Sequence, residues 1–159
     1  DWSSEKIMDF IIRCDPDVVQ PLRNVVDDTY ESSGLKNYID THNLGICFFS
    51  PLKHGLLTGK YTEPVTFTNG DHRSGVKEFQ DTTLLKIILS NKTLLEQRFF
   101  NHPNPVLHGL VDALLSDAPT GCALLGQRNV QQVRAAATLG KLLSATDTEW
   151  VKAIYHFQH

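Results

Sequence analysis

The sequence predicts an α/β fold built on parallel strands, and three observations carry that reading. Short apolar runs at 17–20, 44–49 and 121–125 alternate with longer amphipathic segments, the order expected of βαβ units. The runs are apolar throughout, which fits strands of a parallel sheet covered on both faces. The chain has 159 residues, 41% of them hydrophobic and 21% charged, with no apolar stretch of about 18 residues. One soluble domain over 1–159, with a core of its own and no membrane span, follows from that arithmetic.

Each element has a local cause. Residues 2–14 place Ile7, Met8, Phe10, Ile11 and Ile12 behind Ser3 or Ser4 as helix cap. Asp15-Pro16 ends that helix, because the residue before proline is driven out of the α region. A helix over 31–42 carries Leu35, Tyr38 and Ile39 on one face and stops near Asn43, and Asp27-Asp28 reads as the cap of the turn around Tyr30. The segment 53–74 holds Gly55, Gly59, Pro64 and Gly70 and reads as a long functional loop. Helices at 82–100 and 105–115 are separated by Asn101-His102-Pro103-Asn104-Pro105. Asn129 caps a helix over 130–139 that ends at Gly140, and a last helix covers 147–157.

Charge and motif content exclude several function classes. A net charge of −3 and a pI near 6.1 advertise no basic face, so nucleic acid is not an expected partner. Cys14, Cys47 and Cys122 are odd in number and far apart, which argues against a disulfide framework or a zinc site and for a reducing, cytoplasmic setting. The seven histidines show no metal-ligand spacing; His54, His72, His102 and His108 read as solvated or capping residues, and His156 and His159 as part of a fraying terminus. Asn91-Lys92-Thr93 matches a glycosylation acceptor by chance. No nucleophile elbow or catalytic triad spacing appears. The chain opens Asp1-Trp2-Ser3-Ser4, without Met or a signal-peptide pattern, and reads as a piece of a longer protein or a processed product.

In parallel α/β folds, ligands bind at the carboxyl ends of strands. Three such ends carry polar residues here: Gln20, then Phe49-Ser50, then Gly126-Gln127-Arg128-Asn129. The last opens a helix, so Arg128 beside its amides reads either as a phosphate ligand or as an ordinary surface arginine next to a cap. Lys60 follows Gly55 and Gly59 in a loop that lacks Walker A spacing.

Taken together, Phe49-Ser50-Pro51-Leu52, Gly55-Leu56-Leu57-Thr58-Gly59-Lys60-Tyr61, Gly70-Asp71-His72-Arg73-Ser74 and Leu124-Leu125-Gly126…Asn129…Gln132 resemble the aldo-keto reductase family. The similarity is greatest to its branch of potassium-channel β-subunits and bacterial reductases, and it runs over nearly the whole chain. The resemblance implies the C-terminal portion of a (β/α)₈ TIM barrel, strands six to eight, incomplete on its own. It implies NADP(H) as cofactor and a small aldehyde or ketone as substrate. By position, Gln20 resembles the ligand of the nicotinamide carboxamide and Phe49 the ring stacked on the nicotinamide. Ser50, Leu52 and Gly55 resemble the loop along the pyrophosphate, and Lys60 and Arg73 its cationic clasp. Gly126, Arg128 and Gln132 resemble the segment around the 2′-phosphate and adenine.

Two departures qualify the match. Where the family places Glu-Asn against the adenine, this chain has Ala135-Ala136. Losing two hydrogen bonds of roughly 0.5–1.5 kcal/mol each weakens cofactor binding by about one to two orders of magnitude. The family's Asp, Tyr, Lys and His tetrad lies on earlier strands, so this chain holds no catalytic residue. An upstream barrel half, or a partner chain, is then expected to complete the barrel. The alternative is a non-catalytic, truncated relative acting as a structural or regulatory subunit.

Overall fold

Three short strands organise the chain. The computed structural model describes residues 4–27, 29–118 and 120–156. In it β1 (Val18–Val19), β2 (Gly45–Phe48) and β3 (Gly121–Ala123) form a single parallel sheet in the order β1-β2-β3. Val18 pairs with Gly45 and Val19 with Ile46; Ile46 then pairs with Gly121, Cys47 with Cys122 and Phe48 with Ala123. The pairing extends past β1 through a bridge between Leu22 and Phe49. Helices fill both crossovers: α2 (Thr29–Ser32) and α3 (Leu35–His42) join β1 to β2, while α4 (Thr82–Arg98), α5 (Pro105–Leu107), a π turn (His108–Asp112) and α6 (Ala113–Ser116) join β2 to β3. The chain opens with α1 (Ser4–Cys14) and closes with α7 (Val130–Ala136) and α8 (Ala145–Tyr155).

The α/β fold and the parallel sheet agree with the sequence, whereas the burial of the sheet differs. Val19, Ile46 and Phe48 are buried against helices, while Val18 is 59% and Leu124 47% exposed. The strands therefore alternate in burial along one packed and one open face. An apolar residue on the open face looks the same in sequence as one in the core.

Local signals explain the helix boundaries. The predicted helix over 31–42 breaks at Gly34, whose φ of 80° is left-handed. Tyr30, Leu35 and Ile39 still reach the core from its two halves. Asp27 accepts from the Thr29 backbone N–H at 2.9 Å and caps α2; Asp28, and Trp2, Ser3, Phe157 and His159 with it, lie outside the described residues. Asp81 caps α4 by accepting from Thr83 and Leu84, and Ser144 caps α8 by accepting from Asp147. The helix predicted at 105–115 contains a π turn beside α4. There Gly109 allows close approach, since a Cβ would sit 2.5 Å from Leu95 Cδ2. Asn91 is buried in α4 and donates to the Ile154 carbonyl at 2.6 Å, which removes it as a glycosylation acceptor.

A buried ion network ties the sheet to the helices. Arg23 is 1% exposed, with its guanidinium 4.2 Å from the Tyr30 ring centroid. Its Nη2 reaches Glu31 at 2.7 Å and Asp117 at 2.8 Å, and Lys152 adds a second cation to Asp117. Tyr30 packs edge-on to Phe48, and burial pushes its hydroxyl pKa up to about 12.

Candidate functional site

The carboxyl end of β2 turns sharply into the segment that the sequence singles out. Ser50, Lys53 and His54 have φ of 58°, 45° and 58°, and Gly55 and Gly59 are also left-handed. Non-glycine residues in that region each cost about 1–3 kcal/mol, so the surrounding structure must hold them there. It does so through buried Leu56 and Leu57, a Gly55 N–H donated to Leu52 O at 2.9 Å, and the Thr58 hydroxyl donated to Gly55 O at 2.7 Å. The result is a firmly held turn that forms one wall of a cleft.

Beside this turn opens a cleft of about 1110 Å³. Its walls are the turn itself, the loop carrying His72 and Arg73, Lys92 and Glu96 of α4, the 103–107 break, and the stretch 124–132 that leads from β3 into α7. Phe49, Ser50, Leu52, Gly55, Lys60, Arg73, Gly126, Arg128 and Gln132 all line it. Gln20 does not: it follows β1 directly and is exposed. Ala135 also lines the cleft and offers no polar side-chain atom.

Four cations line the cleft and they differ in kind. Lys92 lies 3.8 Å from the Glu96 carboxylate, one turn further along α4. Arg73 donates from Nε to both Asp71 oxygens at 2.9 and 3.1 Å and from Nη1 to the Tyr61 hydroxyl at 3.2 Å, and it lies 4.2 Å from the Phe67 ring centroid. These hydrogen bonds, with one from the Arg73 backbone N–H, hold the Asp71 carboxyl well below the usual carboxylate range and raise the guanidinium correspondingly. Arg73 therefore anchors its loop as half of a neutralised pair. Lys60 and Arg128 have no ion-pair partner among the described residues; Lys60 lies 4.7 Å from the Tyr61 ring centroid. The Arg128 backbone N–H donates to Gln132 Oε1 at 2.6 Å, and the Gln132 N–H donates to Asn129 Oδ1 at 2.9 Å. This reciprocal cap fixes the start of α7 and leaves the Arg128 side chain exposed. With only seven residues, α7 contributes little macrodipole, so the side-chain charge is the main attraction for an anion there.

Sequence reasoning misses two parts of this wall. His54 and His72 are exposed, as the sequence reading has them, but they are not independent: their rings meet at 2.9 Å, from His72 Nε2 to His54 Nδ1. Burial, then the charges of His72, Lys53 and Arg73, lower the His54 pKa. The second part is Lys92 and Glu96 on α4, and no local spacing announces either contribution. His102 and His108 differ from the sequence reading in part. They stack at 4.1 Å, and His108 Nδ1 contacts the buried Asp112 carboxylate at 2.6 Å. His102 does cap a turn, accepting from the Asn104 N–H. Among the described residues no group of three His, Cys, Asp or Glu is placed to hold a metal ion. None of the described helices is long and apolar enough to cross a membrane.

Fold and cleft define an α/β protein with a cation-bearing cleft at the carboxyl ends of its parallel strands. The chain belongs to the Aldo/keto reductase family, whose sequence profile matches residues 2–154. It is 27% identical over 116 residues to the L-glyceraldehyde 3-phosphate reductase of Escherichia coli (strain K12), covering 72% of this chain and 34% of that protein. To aldo-keto reductase YhdN of Bacillus subtilis (strain 168) it is 27% identical over 137 residues, 86% of this chain and 41% of that one. The structure of the glycerol dehydrogenase AKR11B4 from Gluconobacter oxydans superposes with a TM-score of 0.76 at 27% identity, over 97% of this chain and 46% of that one. The chain thus spans between a third and a half of the length of these relatives.

Proposed function

We propose that this chain is the NADP(H)-binding portion of an aldo-keto reductase, strands six to eight of a (β/α)₈ barrel. The complete protein would transfer a hydride between NADP(H) and a small aldehyde or ketone. The observation that carries this reading is the meeting of Lys60 and Arg128, both without ion-pair partners among the described residues, with a strained turn in one cleft. The lining fits a dinucleotide diphosphate: two available cations and a volume just above the roughly 300–1,000 Å³ of ordinary ligand pockets. When bound, the nicotinamide supplies the hydride. Phe49 offers an aromatic face for that ring; Gln20, just past β1 and outside the lining of the cleft, is assigned the carboxamide by the family resemblance alone. Lys60 neutralises the pyrophosphate and Arg128 the 2′-phosphate by charge-assisted hydrogen bonds. Arg73, balanced by Asp71, shapes the wall instead of adding net charge. The proton for the carbonyl oxygen comes from outside this chain, from a tyrosine, lysine and histidine on an upstream barrel half or a partner chain.

A second reading, a non-catalytic relative, draws on Ala135, which leaves the adenine end of the cleft without a polar side-chain contact. Titrating the chain with NADPH and following cofactor fluorescence tests both. Saturable binding, with carbonyl reduction once an upstream half carrying the tetrad is added, supports the first reading. Binding without turnover in that complex supports the second. No binding in either preparation overturns the cofactor assignment.

A further inference from the structure

We infer that His54 and His72 form a two-histidine site for a divalent transition-metal ion such as Zn²⁺, bridging two loops at the rim of the cleft. The contact is direct: His72 Nε2 lies 2.9 Å from His54 Nδ1. At Zn–N bonds of about 2.0–2.1 Å, two ligand nitrogens on one ion stand about 2.9–3.4 Å apart, from right-angled to tetrahedral geometry. The ring centroids are 4.6 Å apart, with the planes at 69°. Rings aligned head-on across the same nitrogen separation would hold their centroids further apart. These two therefore meet at an angle, as imidazoles do on a shared ion.

Ligation involves no net loss of a proton. Two neutral imidazoles share one proton across their contact, and moving it to the other nitrogen of its own ring frees a second lone pair. Burial and the neighbouring charges already lower the His54 pKa, which keeps that ring neutral at pH 7, the form a metal requires. Both ligands are held before any ion arrives. His54 sits in the strained turn with a φ of 58°. His72 follows Asp71, which caps the next short turn by accepting from the Arg73 N–H at 3.0 Å. The charges around the pair largely cancel, since Lys53 is paired with Glu78 at 2.9 Å and Arg73 with Asp71. Lys60 stays uncompensated among the described residues, and a Cβ at Gly55 would lie 3.4 Å from its Nζ. Its charge weakens the site without closing it. With two protein ligands instead of the three or four of other zinc sites, water fills the remaining positions and the ion exchanges. Both histidines lie on loops beyond β2, the middle strand of the sheet. Strands from an upstream half would add at the edges, beside β1 or β3, and leave these loops at the rim.

The test is zinc chloride titrated into the 159-residue chain without nucleotide, read by calorimetry and by proton–nitrogen correlation spectra of the imidazole rings. The expected result is one zinc ion at this pair, with the ring signals of His54 and His72 shifting together and the melting temperature rising. His54→Gln and His72→Gln should each weaken binding by at least about tenfold, the low end of what groups that merely hydrogen-bond a metal ligand are worth. Mg²⁺, which takes oxygen ligands, should leave both rings unmoved. Zinc binding that survives both substitutions, a shift of one ring without the other, an equal response to Mg²⁺, or no binding at millimolar zinc would each overturn the proposal. The ring signals of the wild-type chain decide the matter should a variant fold poorly.

Discussion

Replacing Arg128 by alanine separates charge recognition from general cleft shape. The side chain is exposed and has no ion-pair partner among the described residues, and its backbone N–H belongs to the α7 cap. The substitution therefore removes a cation and disturbs little else. A hydrogen bond to a charged group is worth about 1.5–3 kcal/mol, and exposure with salt screening moves an interaction here to the low end. At about 1.4 kcal/mol per decade, NADPH affinity should fall by roughly tenfold, while NADH, without the 2′-phosphate, should change by less than about twofold. Fluorescence titrations with both cofactors at low and high salt measure this, and the NADPH loss should shrink as salt rises. Equal losses for both cofactors, or none for either, would refute the assignment of Arg128. Arg73→Ala is the contrast: it unties Asp71, Tyr61 and Phe67, so the loop loosens and both cofactors weaken alike.

Gly109→Ala forces a Cβ to 2.5 Å from Leu95 Cδ2 and 3.1 Å from Phe99 Cε2, and should cost about 1–3 kcal/mol of stability in urea unfolding. Asp117→Ala leaves buried Arg23 with Glu31 as its remaining carboxylate among the described residues, and Lys152 with the longer contacts to Glu31 and Glu149, so it should cost about 3 kcal/mol, more than Arg23→Met, which leaves carboxylates that water can reach. Thermal melts against pH should fall in two stages. The lowered His54 pKa contributes stability that is complete above pH 6.5 and is lost as pH falls through the folded value; the lowered Asp71 pKa does the same below pH 3.8. His54→Gln should flatten the first stage alone.

The sequence reveals the sheet and most of the cleft because both depend on contiguous residues. Runs such as 44–49 are apolar enough to locate β2, and the turn from Ser50 to Lys60 is read from its glycines and its resemblance. Burial polarity is less legible, since Val18 and Val19 are the same residue type with opposite fates. Gly34 splits a helix although hydrophobic spacing runs through it. The Arg73–Asp71 pair is only two residues apart, and an aspartate ahead of an arginine in a turn is itself a cue that the arginine is engaged locally. The His54–His72 contact, 18 residues apart, leaves no such trace.

The way β2 meets β3 bears on how the molecule assembles. Residues 49–120 separate the two strands, and the Arg23–Asp117 contact joins positions 94 apart. Closing loops of that length costs entropy before any contact rewards it, and such pairings are slow steps in folding. The β1-β2 unit, whose strands are separated only by residues 20–44, has the shorter closure and should form first. The cleft has one wall from the β2 side and another from beyond β3, so it exists only after the last long-range closure. During refolding, recovery of ligand binding should lag behind recovery of helical signal, which makes occupancy of the cleft a reporter of the final assembly step.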